Sequence, residues 1–376
     1  MNRLQPTRGT LADGRALYLF DDRPRHRLPP VDRRVPTQLP PPGEARWDPV
    51  MGEWVVIAPH RMGRGHTPET GCALCPSAGG AATEIPVASY DVAVFDNRYP
   101  ALRGSGSALP DEPASLWAVA AAGGRCEVVS FSEEHRTSLA RLPVRRVATV
   151  VEAWAHRTEA LNSTPGVEQV VCFENRGADI GATQSHPHGQ IYGYPFVPAR
   201  FARMRESARR ARDSEECCLF CEVLAAEEHA GERVVVRSAH WTAFVPYAAR
   251  WPYEVHLYAR RHVPDLPGLT SEERAELAGV YRAVLRCFED VAAEPLPYMA
   301  TWVQAPARRE RDLIHLHAQI ISDRFRPDRA KRLAAGELGA GTFVSEAVPE
   351  TTARSLRRAC EPHWRDTRLL SENPEG

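Results

Sequence analysis

The stretch Gly181-Ala182-Thr183-Gln184-Ser185-His186-Pro187-His188-Gly189-Gln190-Ile191 places two histidines on either side of one proline. Proline fixes its own φ and biases the preceding residue toward an extended conformation. Side chains two apart in an extended segment share a face, so His186 and His188 can line one wall of a site. One imidazole can then be held by a metal while the other attacks an electrophile. The run Glu168-Gln169-Val170-Val171-Cys172-Phe173-Glu174 upstream is β-rich, which puts the glycines and histidines on a loop that returns into a strand.

An isolated histidine pair on a turn carries little information, but this chain repeats the arrangement. Cys72-Ala73-Leu74-Cys75 corresponds to Cys218-Leu219-Phe220-Cys221, His135 to His262, and His186-Pro187-His188-Gly189-Gln190 to His315-Leu316-His317-Ala318-Gln319. Alone, a Cys-x-x-Cys pair is compatible with a redox-active, a structural or a metal-binding role. The repeat predicts two related α+β units, each a β-sheet with a covering helix. In the first, Pro143 opens a helix whose apolar face is Val144, Val147, Val151 and Trp154. In the second, Thr270 and Glu273 form a capping box ahead of Leu277, Tyr281, Val284 and Phe288.

Arg61 and Arg64 follow the strand-like run Met51-Gly52-Glu53-Trp54-Val55-Val56-Ile57-Ala58. The guanidinium fork matches phosphate oxygens, so the two form a candidate diphosphate clamp. Composition bounds the rest. The chain has 376 residues, 43% of them apolar and 25% charged, more than one core usually serves. Its net charge of −1 provides no basic footprint for nucleic acid. No opening apolar segment reads as a secretory signal, and no run is long enough for a membrane span. Nine cysteines with two Cys-x-x-Cys pairs fit a reducing cytoplasm and metal binding better than a disulfide framework.

His186-Pro187-His188-Gly189-Gln190, preceded by Phe173-Glu174-Asn175-Arg176-Gly177, resembles the signature of the galactose-1-phosphate uridylyltransferase family in the histidine-triad superfamily. Gly52-Glu53-Trp54-Val55, Pro59-His60-Arg61, Cys72-Ala73-Leu74-Cys75-Pro76 and Val94-Phe95-Asp96-Asn97 extend the likeness over roughly residues 45 to 350. The resemblance implies a pseudo-duplicated α+β fold of two HIT-like units with antiparallel sheets. The corresponding division is an arm at 1–44, a catalytic unit at 45–200, a connecting helix at 201–214, a second unit at 215–360 and a tail at 361–376.

The implied reaction exchanges UMP between UDP-glucose and galactose 1-phosphate through a uridylyl-histidine on His188, with Gln190 on an α-phosphoryl oxygen. Implied substrate contacts are Arg61, Arg64, Asn97, Asn175, Gly181, Thr183 and Glu337, the last toward sugar hydroxyls. Cys72, Cys75, His135 and His186 match the family's zinc site. The repeat suggests a second zinc site at Cys218, Cys221, His262 and His315; the resemblance implies a different metal site in this half, but Val303 and Gln319 stand where two of its histidines would fall, which argues against that site. Phe343 replaces a sugar-contacting glutamine of some members. A homodimer whose subunits complete each other's sites is also implied. Two other readings remain open: transfer from another nucleotide sugar, and a zinc-stabilised nucleotide-binding protein without catalysis.

Overall fold

The computed structural model describes residues 4–63, 71–78, 82–182, 184–215, 217–326 and 329–372. Arg64 and Thr183 lie outside the described residues. The strands in chain order are β1 (Thr7–Thr10), β2 (Ala16–Phe20), β3 (Glu44–Asp48), β4 (Glu53–Ile57), β5 (Val92–Asp96), β6 (Val119–Ala121) and β7 (Arg125–Ser130). There follow β8 (Gln169–Arg176), β9 (His188–Tyr194), β10 (Val234–Arg237), β11 (Trp241–Phe244), β12 (Tyr253–Ala259), β13 (Tyr298–Val303) and β14 (His317–Ser322). The helices are α1 (Val144–Asn162), α2 (Ala199–Glu215), α3 (Leu219–Ala230), α4 (Ser271–Asp290), α5 (Ala335–Leu338) and α6 (Pro349–Glu372).

Eleven strands form one antiparallel sheet in the order β1-β2-β5-β7-β9-β8-β13-β14-β12-β11-β10. The two related units are present, and their sheets join edge to edge where β8 pairs with β13, Phe173 opposite Thr301. β3, β4 and β6 make a separate small sheet. Within the N-terminal arm, β1 and β2 form a hairpin, and β2 pairs with β5. The connecting helix is α2, and α6 runs past residue 360 without a break in helix.

Both expected covering helices form, on the face opposite the histidines. Val147, Val151 and Trp154 of α1 are buried, as are Leu277, Tyr281, Val284 and Phe288 of α4. Each helix closes an apolar stripe over its half of the sheet, and the stripes meet in one core. Trp154 packs edge-on to Tyr281 at 5.7 Å between ring centroids, which ties the halves together. The start of α4 is fixed by the capping box: Thr270 Oγ1 accepts from the Glu273 amide, and the Glu273 carboxylate accepts from the Thr270 amide. Beneath α1, the Arg157 guanidinium donates through Nε and Nη2 to Glu127 at 2.9 and 2.7 Å, with both side chains buried.

One cysteine pair departs from the reading of the cysteines as metal ligands and free thiols. Cys287 of α4 and Cys360 of α6 form a disulfide across 73 residues. No sequence spacing marks this pair; it arises because the packing of α6 on α4 brings the two Cα atoms to 4.9 Å.

Candidate active site and metal centres

His188 and Gln190 are alternate residues of β9, so their side chains rise from one face of the sheet. Gly189 between them faces the other way, and a Cβ there would stand 2.7 Å from Phe131 Cζ and 2.8 Å from the Phe173 carbonyl oxygen. Only glycine allows β9 to lie this close to its neighbours. Gly181 ends a short turn with φ of 90°, a left-handed conformation that glycine adopts without strain. Its requirement is conformational, and it starts the return of the loop toward His186.

The His188 ring is oriented by its own backbone. Nδ1 lies 2.8 Å from the His186 carbonyl oxygen, which can only accept, so Nδ1 carries the proton. Nε2 is then the nitrogen with a lone pair, the state an attacking imidazole requires. His188 lines a cavity of about 300 Å³ with Asn175, Gly177, Ala182, Gln184 and Glu174.

Cys72, Cys75, His135 and His186 offer four ligand atoms that all lie within 4.8 Å of one another. Cys72 Sγ and Cys75 Sγ are each 3.7 Å from His186 Nδ1, and Cys75 Sγ is 3.4 Å from His135 Nδ1. Bonds of about 2.1 Å to nitrogen and 2.3 Å to sulfur around a tetrahedral ion separate such atoms by roughly 3.6 Å. The residues therefore fit a divalent metal. His186 Nε2 lies 2.7 Å from the Ser132 carbonyl oxygen, which leaves Nδ1 as the ligand nitrogen. Burial holds the His186 imidazole neutral, with its pKa down to about 4. Burial and the adjacent Cys72 push the Cys75 thiol up to about 11, a penalty that a bound cation removes.

The second half repeats this geometry. Cys218, Cys221, His262 and His315 form a second four-ligand cluster. Cys221 Sγ lies 3.5 Å from His262 Nδ1 and 3.4 Å from His315 Nδ1, and His315 Nε2 is 2.7 Å from the Ala259 carbonyl oxygen. Burial opposes ionisation of Cys218, but hydrogen bonds from His262 and His315 bring its thiol down to about 5. His317, the counterpart of His188, is only 1% exposed and is stacked on Tyr258 at 4.4 Å, closed off from any substrate.

Other residues singled out by sequence are dispersed. Arg61 Nη1 donates to the Tyr99 carbonyl at 3.2 Å and to the Tyr192 hydroxyl at 3.4 Å. Asn97 is buried at the exit of β5, where its Oδ1 accepts from the Tyr99 amide at 2.9 Å, a turn-forming role. It lines a different cavity from His188, of about 410 Å³, with Arg15, Arg103 and Arg125. The Glu337 carboxylate lies outside the His188 cavity, held by Lys331 Nζ at 3.1 Å and the Ala334 amide at 3.2 Å. Phe343 packs on Trp251 with ring centroids 5.8 Å apart.

Sequence reasoning passed over three side chains. Tyr90 is wholly buried, and its hydroxyl touches both the His186 ring at 3.2 Å and the Ser132 carbonyl at 2.7 Å. Tyr192 shares the face of His188 and Gln190, which the two-residue alternation along β9 was enough to reveal. Glu174 is buried with Oε2 lacking a hydrogen bond among the described residues. Burial raises its pKa from 4.5 to about 8. Folding thus favours the protonated acid, so its stabilising contribution is complete below pH 4.5 and is lost as pH rises through about 8. Glu174→Gln is expected to flatten the fall in stability between pH 5 and 8.5, measured by urea denaturation. An unchanged slope would contradict a buried neutral acid.

A duplicated antiparallel α+β unit, with a His-x-His-x-Gln strand beside a Cys2His2 cluster, defines a histidine-triad protein. The comparisons make this specific. The model of the galactose-1-phosphate uridyl transferase N-terminal domain matches residues 42–198, and that of its C-terminal domain matches 205–368. The chain belongs to the galactose-1-phosphate uridylyltransferase family. It is 44% identical to the galactose-1-phosphate uridylyltransferase of Streptomyces lividans over 310 residues, 81% of each chain. It is 35% identical to that of Thermotoga maritima over 317 residues, 84% of this chain and 98% of the relative. A solved uridylyltransferase structure superposes with a TM-score of 0.74 at 33% identity, covering 85% of this chain and 99% of the other.

Proposed function

We infer that the protein is a UDP-glucose–hexose-1-phosphate uridylyltransferase that exchanges UMP between UDP-glucose and galactose 1-phosphate. The observation that carries its mechanism is the His188 Nδ1 bond to the His186 carbonyl, which leaves Nε2 as the nucleophile. Nε2 bonds to the α-phosphorus as the bond from phosphorus to the bridging oxygen breaks, and glucose 1-phosphate leaves with that electron pair. The proton on Nδ1 stays, and the His186 carbonyl stabilises the positive charge of the substituted ring. An oxygen of galactose 1-phosphate then displaces Nε2 from phosphorus, giving UDP-galactose and neutral His188. The leaving group is a stable anion, so no strong general acid is needed.

Gln190 donates from its amide to an α-phosphoryl oxygen, worth most where charge builds in the transition state. Thr183 supplies a hydroxyl beside the same phosphate, Gly181 lets the loop approach it, and Asn175 orders the nucleotide side of the cavity. Arg61 and Arg64 neutralise the diphosphate, Asn97 serves the uridine side, and Glu337 accepts sugar hydroxyls. Cys72, Cys75, His135 and His186 hold Zn2+, as do Cys218, Cys221, His262 and His315. A filled Cys2His2 shell has no open position, so the metal supplies rigidity and not a hydroxide.

The enzyme acts as a cytoplasmic homodimer. No described helix is long and apolar enough to cross a membrane. Exposed Val50, Met51, Val55, Trp117 and Val119 on and around the small sheet support a covered face between copies. The resemblance also implies that a second subunit completes the site, and Glu337 is not among the residues lining the His188 cavity of its own chain. Initial rates with varied UDP-glucose and galactose 1-phosphate test the reading on protein whose mass is checked by sedimentation. Parallel double-reciprocal lines and a dimer mass are expected; intersecting lines contradict the two-step exchange, and a monomer contradicts the shared site.

A further inference from the structure

The amide of Gln190 has two ends, and its proposed role uses only the NH2. Tyr192 is 8% exposed and stands two residues along β9, on the same face. Its hydroxyl lies 3.2 Å from Gln190 Oε1 and receives Arg61 Nη1 at 3.4 Å. A guanidinium has only donors, so the Tyr192 oxygen accepts from Arg61 and its proton points to Gln190. Gln190 lies between Tyr192 and His188 along β9, so an amide oxygen held on the Tyr192 side leaves the NH2 available to the His188 side. Arg61 Nη1 makes this bond and the one to the Tyr99 carbonyl, while its other donors carry none among the described residues.

The duplicated half arranges the corresponding amide with the same polarity. Gln319 Oε1 accepts from Arg200 Nη2 at 2.5 Å, and Gln319 Nε2 lies 3.2 Å from His317 Nε2. There the guanidinium reaches the amide directly, and Ile321 occupies the place of Tyr192. Two halves with different side chains thus hold the amide oxygen with a donor, the Tyr192 hydroxyl in one and the Arg200 guanidinium in the other.

We propose that Tyr192 is a positioning residue for uridylyl transfer, relaying the fixed donor of Arg61 to Gln190 so that the glutamine presents its NH2 to the α-phosphate. This rests on the reading of Gln190 as a phosphate contact. Without the hydroxyl, the amide can rotate and turn its oxygen toward the phosphate, which repels it. The effect falls on the transition state more than on the bound substrate.

The test is a double-mutant cycle with Y192F, Q190A and the pair, on metal-loaded protein whose folding is checked by circular dichroism. The readouts are the single-turnover rate of uridylyl-enzyme formation from UDP-glucose and the dissociation constant of UDP-glucose. Q190A is expected to slow the step about 100-fold. Y192F is expected to slow it about tenfold with nearly unchanged binding, and to add less than about twofold in the Q190A background. A normal rate in Y192F beside a slow Q190A overturns the relay and leaves Gln190 in place. Equal slowing by Y192F in both backgrounds shows that Tyr192 acts by packing and also overturns it. A normal rate in Q190A removes the phosphate contact itself, and the relay with it.

Discussion

Replacing His188 with alanine is expected to eliminate the uridylyl-enzyme and to lower turnover by at least about 10⁴-fold, as loss of a covalent nucleophile does. Fold and metal content should be retained. His188 is neither a candidate metal ligand nor a core residue; its side chain lines the cavity, and its Nδ1 is held by the His186 carbonyl. The closed counterpart His317 has no route to substrate and cannot substitute for it. Mass spectrometry after exposure to UDP-glucose checks the result. An intact adduct on the H188A protein would move the nucleophile elsewhere.

Replacing Cys72 with serine is expected to remove about one equivalent of zinc per chain and to lower stability by several kcal/mol, since metal binding at such a site is folding free energy. Activity should fall with it, because His186, in the same Cys2His2 cluster, supplies the carbonyl that orients His188. Cys72 also belongs to the buried apolar cluster that contains Leu74, Ile85 and Phe95, so loss of the metal is expected to loosen the local core beside β5. Metal analysis and thermal denaturation separate these effects. Unchanged zinc content would exclude Cys72 as a ligand. Loss of zinc with unchanged activity would show that His188 is oriented by some other means.

The parts of this site that could be read from sequence are those set by local rules. Proline between two histidines and alternation along a strand fix which side chains share a face, and β9 begins at His188 accordingly. The Thr270–Glu273 capping box and the apolar faces of α1 and α4 depend only on neighbours three or four residues apart. The repeat of cysteines and histidines marked out the two Cys2His2 clusters that the fold assembles, because the four-residue pattern recurs as a unit.

What escaped depends on contacts between distant segments. The pairing of β8 with β13 follows from how two half-sheets meet, and no local pattern in either strand selects that partner. The Cys287–Cys360 bond joins residues that belong to different helices and carry no spacing signal. Tyr192 reads as an ordinary aromatic strand residue until Arg61, far away in sequence, is found against its hydroxyl. Asn97 and Glu337 were singled out by resemblance; within this chain Asn97 Oδ1 accepts from the Tyr99 amide in a turn and Glu337 is paired to Lys331.

The most direct measurement is the intact mass of the metal-replete protein after incubation with UDP-glucose, followed by addition of galactose 1-phosphate. The account predicts a covalent gain of one uridylyl group, discharged by the acceptor as UDP-galactose in equal amount. UDP-galactose formed with no covalent intermediate, or an adduct that galactose 1-phosphate leaves in place, would contradict it.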